Sequence, residues 1–250
     1  MRSFTVLLAL LSSLGVKAQE TISFSSLDGL ELTADLYLIS EAPDTPFIVL
    51  FHQAGSSRGE YLEIAPRLTD LGYNVLALDQ RSGRQTNGVE NETANRAGEA
   101  GLGTSYLDAS ADLEAALAYV RETYISETVI GWGSSYSASL ALRLAGTSDL
   151  MDGVLAFSPG EYFAAQGNTF IQDAASGIDI PSFITSSTSE QGDWQAMFES
   201  IPSADKVGFT PAEGVGRHGS STLFTSVPNS ELYWQALTDF LTTYFPTDSR

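Results

Sequence analysis

Residues 128–142, TVIGWGSSYSASLAL, put four serines within six positions: Ser134, Ser135, Ser137 and Ser139. A serine hydroxyl attacks an acyl carbon only when a base takes its proton, an acid orients that base, and donors receive the charge developing on the carbonyl oxygen. The chain offers few groups for those parts. It has no cysteine and two histidines, His52 and His218. Thiol catalysis, cysteine-based zinc sites and disulfides are therefore excluded.

The spacing separates the serines. TVIGWG reads as a strand and SYSASLALRLAG as a helix, with almost no loop between them. Such a junction turns sharply and forces its apex residue into a strained conformation that exposes the side chain. The residues two before and two after the apex must be small, because strand and helix pass close together there. Ser134 as apex would have Trp132 two before it, which is too large. Ser135 has Gly133 before and Ser137 after, and Ser137 and Ser139 fall inside the helix. Ser135 is the candidate, in GSSYS, a G-x-S-x-G variant with serine at the second glycine. The alternative is a serine-rich helix start whose hydroxyls cap free N–H groups.

His218, in GVGRHGSS, is the only histidine C-terminal to these serines. Between them, Glu190 lies just past the apolar run IPSFITSS, with Asp193 as its rival three residues on. The order serine, acid, histidine is one of the known orders of serine triads. His52 ends the run PFIVLFHQ. Making it the base would reverse that order and leave Gln53, Ala54 and Gly55 without a role. The turn HQAG instead presents backbone N–H groups, so Ala54 N–H with Tyr136 N–H can form an oxyanion hole. His52 would then fix the loop.

These groups need a scaffold. ETISFSS and LELTADLYLI alternate as strands do, around the turn Asp28-Gly29, so a β-hairpin is expected first. Buried strands follow at 46–53 and 73–80, with a helix at 60–72 ending at Gly72. Arg81–Gly103 reads as a long polar loop, functional or disordered. After it come a long helix around 105–124, the serine strand and helix, strands at MDGVLAFSP, IPSFITSS and KVGFTPAE, a short helix WQAMFESI and a closing helix SELYWQALTDFLTTYF. This alternation predicts right-handed crossovers, a mostly parallel sheet with helices on both faces, and functional groups at the carboxyl ends of the strands.

The first 18 residues, MRSFTVLLALLSSLGVKA, read as a secretory signal peptide cut after Ala18. Residues 19–250 are then expected to form one domain, exported to a periplasm or secreted, with no membrane anchor after cleavage. Asp and Glu number 31 against 12 Lys and Arg, a formal charge of −19. That surface repels phosphate backbones and argues against nucleic-acid binding. No metal or cofactor is expected, since the histidines are far apart and no nucleotide fingerprint occurs.

Four segments together resemble the α/β-hydrolases, and among them the compact dienelactone-hydrolase-like serine esterases. They are VLFHQAGSSRGEY as the oxyanion turn, VLALDQRSGRQ as the D-x-R-G segment, GWGSSYSAS as the nucleophile elbow, and IPSFITSSTSE with GRHGSS as the acid and base segments. The resemblance implies a Ser135–His218–Glu190 triad and hydrolysis of a small ester or related acyl bond through an acyl-enzyme. Dienelactone hydrolases proper use cysteine where this chain has Ser135. Gln53 and Ser137 stand where glycines are usual, and the acid is Glu where Asp is commoner. The stretch between Ser158 and Ile180 is too short for a lid domain. The site is expected to be open, bounded by that stretch and by Arg81–Gly103, with Tyr136, Trp132, Tyr162 and Phe163 as candidate walls and aromatic core packing as the alternative for Trp132. A peptidase or acyltransferase would use the same triad, and a non-catalytic binding protein could keep the same fold.

Overall fold

The computed structural model describes residues 19–247; the signal-peptide reading of 1–18 falls outside them. Eight strands form one sheet in the order β1-β2-β4-β3-β5-β6-β7-β8. The opening hairpin, β1 (Glu20–Ser25) and β2 (Glu31–Tyr37), is antiparallel and joins the rest through an antiparallel β2–β4 pair. The other strands, β3 (Phe47–Phe51), β4 (Asn74–Leu78), β5 (Val129–Ser134), β6 (Gly153–Phe157), β7 (Ser182–Thr185) and β8 (Lys206–Phe209), run parallel.

The strands β3 and β4 are buried along their whole length because both faces are covered. Phe47, Val49 and Phe51 point into a core shared with α3 (Ser110–Thr123), α4 (Tyr136–Thr147) and α6 (Gln191–Ser200). Ile48 and Leu50 point the other way, into a core with α1 (Ile64–Asp70) and α7 (Ser230–Tyr244). The period-two alternation of the strand thus divides one apolar run between two helical layers.

Sequence order steps from β3 out to β4, then back across β3 to β5. The adjacent strands β3 and β5 form the switch point, with Phe51 opposite Gly133 in register. Their carboxyl ends carry HQAG and the serine turn, so the topology itself brings these two segments side by side.

Two expectations are corrected, and the absence of a lid domain after β6 is borne out among the described residues. The helix expected over 60–72 is a 3-10 turn, Arg58–Tyr61, followed by α1 from Ile64. Pro66 lies in the first turn of α1; extended further back, the helix would drive its ring against the carbonyl of residue 62. The expected loop Arg81–Gly103 contains a helix, α2 (Glu92–Glu99), capped by Asn91, whose side chain accepts the Ala94 N–H. The stretch after β6 contains α5 (Phe170–Ala175), packed on α4 and α6, and no large lid.

Candidate active site

Ser135 sits at the junction of β5 and α4 with φ 61° and ψ −124°, the strained conformation expected of an apex. Gly133 is needed there: a Cβ at that position would run into the Ala138 backbone. Ser137, two positions after the apex, is fully buried and uses its hydroxyl. Its oxygen accepts the Ser134 N–H at 2.9 Å and its proton points at the Phe51 carbonyl at 2.7 Å. The departure from glycine therefore ties the turn to the end of β3.

The structure brings Ser135, His218 and Glu190 together. His218 Nε2 lies 2.7 Å from Ser135 Oγ, and His218 Nδ1 lies 2.6 Å from Glu190 Oε1. A carboxylate only accepts, so Nδ1 carries the ring proton, Nε2 keeps its lone pair and Ser135 donates to it. Asp193, the rival acid, lies in the exposed first turn of α6. Glu190 Oε2 accepts the Ser158 hydroxyl at 2.8 Å, and Ser158 in turn accepts the Gly219 N–H at 2.8 Å. Ser158 directly follows β6, with φ 55°. It links the acid to the backbone that follows the histidine.

Each ionisable group responds to these contacts. Burial pushes Glu190 up, but hydrogen bonds from His218 and Ser158 and the charge of His218 outweigh it, and its carboxyl is held down at about 2. The hydrogen bond to Glu190 raises His218 above its ordinary value, against a smaller opposing effect of burial. His52 behaves otherwise. It is fully buried, its Nδ1 faces the Gln53 carbonyl at 2.8 Å, and its Nε2 meets the Gln80 N–H and the Asn91 amide, each at 3.1 Å. Burial lowers it to about 4. This ring is a neutral brace between the ends of β3 and β4 and the start of α2.

Ala54 follows β3 in the turn. Gln53 N–H is taken by Glu60 and Ser56 N–H by the Gln53 carbonyl; Ala54 N–H takes part in neither bond. Tyr136 is the first residue of α4, and first-turn N–H groups have no partner within a helix. Beside Ala54 opens a cleft of about 680 Å³, lined by Gly55, Arg81, Ser82, Arg84 and Tyr106 among others. Tyr106 stacks on Tyr136 with ring centroids 4.4 Å apart.

Three of the four expected wall residues are corrected. Trp132 is wholly buried, stacked on Phe157, with its indole N–H donated to Ser220. Tyr136 and Phe163 are also buried. Only Tyr162, 43% exposed, borders the site; its hydroxyl donates to the Ser158 carbonyl and meets Ser135.

Sequence reasoning missed Arg58, Glu60 and Asn91. Arg58 pairs with Asp35, Asp79 and Glu92, and Glu60 is buried between the turn after β3 and Ser134. Nothing in the local sequence marks Arg58 and Glu60 as buried, since these partners lie 7 to 74 positions away.

Comparison with known sequences decides the family. The pattern described as serine aminopeptidase, S33, matches residues 43–178, more than half of the chain. The chain belongs to the serine aminopeptidase S33 family of α/β-hydrolases. A comparison with curated proteins gave no match. Among solved structures, this S33 hydrolase is similar to an esterase from Pyrococcus furiosus, with 17% identity, 91% of this chain and 93% of that chain covered, and a TM-score of 0.67. It is similar to dienelactone hydrolase from Anabaena variabilis, with 14% identity, coverages of 91% and 98%, and a TM-score of 0.68. It also matches an acylaminoacyl peptidase from Pyrococcus horikoshii, with 16% identity, 96% of this chain but 44% of that one, and a TM-score of 0.64. At these identities the likeness is one of fold.

Proposed function

We propose that this α/β-hydrolase is a serine hydrolase that cleaves a small, accessible ester through an acyl-enzyme on Ser135. The observation that carries this reading is the unbroken line of hydrogen bonds from Ser135 Oγ through His218 to Glu190, at 2.7 and 2.6 Å. In the first half-reaction Ser135 Oγ bonds to the acyl carbon while its proton passes to His218 Nε2. Glu190 faces the imidazolium that forms. The carbonyl electron pair moves onto oxygen, which receives the Ala54 and Tyr136 N–H groups. Collapse expels the alkoxide, which takes the proton from His218. Water repeats the sequence on the acyl-enzyme, releasing the acid and restoring Ser135.

Labelling with a fluorophosphonate, which mimics the tetrahedral intermediate, tests the reading. We expect one adduct, on Ser135, and a fall in esterase kcat of about 10⁴- to 10⁶-fold in Ser135→Ala. Folded protein that is neither labelled nor active on short-chain 4-nitrophenyl esters would leave a binding protein of the same fold.

A further inference from the structure

A third acidic residue lies beneath the site, apart from the Ser135–His218–Glu190 line. Glu60 is 1% exposed. Its Oε2 accepts the Gln53 N–H at 2.9 Å, and its Oε1 accepts the Ser134 hydroxyl at 2.7 Å. The Ser56 hydroxyl adds a further contact. Ser134 has spent its only proton on Glu60, so its oxygen is free to accept, and it takes the Ser220 N–H at 2.9 Å. With Glu60 ionised, the bonds run from Ser220 N–H to Ser134, from Ser134 to Glu60, and from Gln53 N–H to Glu60; burial raises its pKa, and the hydrogen bonds it accepts act against that rise.

The endpoints of this network give it a functional meaning. Gln53 precedes Ala54, the expected oxyanion donor. Ser134 precedes Ser135. Ser220 follows His218 by two residues. One buried carboxyl group thus joins the three segments that carry the donor, the attacking oxygen and the base. The fit is close, because a Cβ at Gly219 (φ 66°) would collide with Ser134 Oγ. The backbone after His218 is seated directly on Ser134. Burying a carboxyl group is costly unless hydrogen bonds compensate it, and a neutral apolar residue would fill the space more cheaply. A carboxylate supplies what such a residue cannot: an acceptor-only group that meets several donors at once, the Gln53 N–H and the Ser134 and Ser56 hydroxyls.

We propose that Glu60 is a positioning residue, holding the Ala54 turn and the His218 loop in register with Ser135 through Ser134. This rests on the serine-hydrolase reading above. Glu60 touches no substrate; it acts on kcat by fixing where the donor and the base stand. A displacement on the order of 1 Å in either costs about 100-fold in rate.

The test is steady-state kinetics and fluorophosphonate labelling of wild type, Glu60→Gln, Ser134→Ala and the double variant, with folding checked by circular dichroism and thermal unfolding. Glu60→Gln keeps the shape but replaces one acceptor by a donor, so one of its partners faces a clash of protons. We expect its kcat and labelling rate to fall about 10- to 100-fold, with KM within about 2-fold because the cleft is untouched. Ser134→Ala should lower kcat about 10-fold by freeing the Ser220 N–H. The double variant should be no slower than Glu60→Gln alone, since both break one chain. A folded Glu60→Gln with wild-type kcat, or losses that simply multiply, would overturn the inference. If Glu60→Gln does not fold, Ser134→Ala decides: reduced kcat at unchanged KM supports the proposal and wild-type kcat overturns it. A wild type that is neither labelled nor active overturns the hydrolase reading, and this inference with it; a labelled wild type with unaffected variants overturns this inference alone.

Discussion

A general base must be neutral to accept a proton, yet Glu190 favours the charged form of His218. The hydrogen bond between them raises His218 above its ordinary 6.5. The sign follows directly. Activity is present where the imidazole is neutral, so kcat/KM should fall as pH drops through a midpoint above 6.5. The two groups titrate as a pair, and the midpoint belongs to both. Glu190→Gln removes the cause and should move the midpoint down, with kcat reduced about 10²- to 10⁴-fold. A pH–rate profile of both proteins checks this, and an unmoved midpoint would contradict the assignment. His52 gives a second, opposite signature. Burial lowers its pKa from 6.5 to about 4, so the unfolded chain binds the extra proton. Stability from keeping this ring neutral is complete above 6.5 and is lost as pH falls from 6.5 through 4, by about 3 kcal/mol. Near pH 5.5 His52 should accordingly take up close to one proton on denaturation while Asp79, which burial raises to about 6, releases one, so the His52 contribution is read as the difference in proton uptake between wild type and His52→Gln, by calorimetry in buffers of different ionisation enthalpy.

At the scale of elements, Arg58 does for α2 and the turn after β3 what side-chain packing does elsewhere. Its guanidinium reaches Asp35 on β2, Asp79 after β4, and Glu92 and the Glu90 carbonyl at the start of α2. Asp79 also accepts the backbone N–H groups of Arg58 and Glu92. Asp35 and Asp79 are almost wholly buried, so removing the cation strands two charges in the interior. Arg58→Ala should cost about 3–5 kcal/mol in urea unfolding, far more than loss of the exposed Arg67–Glu231 pair. The contrast explains what was legible. The strands could be read because their apolar runs record burial locally, and the serine turn because small residues at fixed offsets record a close approach. Helix α2 could not: it buries only Thr93 and Ala97, so no apolar stripe exists to mark it. Glu60 stood at the start of the helix expected over 60–72, and Arg58 in the turn before it. Their burial is decided by partners up to 74 positions away, which no local pattern encodes. Trp132 failed as a wall residue for a related reason. Every residue of β5 is buried, and only the packing of Phe157 and Ser220 places Trp132 inside one of the two layers instead of at the site.

At the scale of the whole molecule, charge is the dominant long-range term. The chain carries 31 acidic against 12 basic side chains, and two of the arginines, Arg58 and Arg81, are consumed in interior ion pairs. Those pairs also bury Asp35, Asp79 and Asp112, so the outer surface keeps nearly the whole net charge of −19. Like charges held on a compact body repel, and unfolding lets them separate. Salt weakens that repulsion: the screening length falls from about 30 Å at 0.01 M to about 10 Å at 0.1 M and about 3 Å at 1 M. Salt also weakens exposed pairs such as Arg67–Glu231, but each of those contributes about 0–1 kcal/mol and they are few. The repulsive term should win. Raising sodium chloride from about 0.01 to 0.5 M at pH 7 should raise the unfolding temperature, by about 2–4 °C for each kcal/mol of repulsion screened. The same field acts on what approaches the cleft. An anionic ester should gain in kcat/KM as salt rises while a neutral ester of the same length does not, because only the first has to overcome the surface potential. Differential scanning calorimetry and paired kinetics across the salt series measure both effects. An unfolding temperature that falls with salt would mean that ion pairs, not net charge, govern the surface.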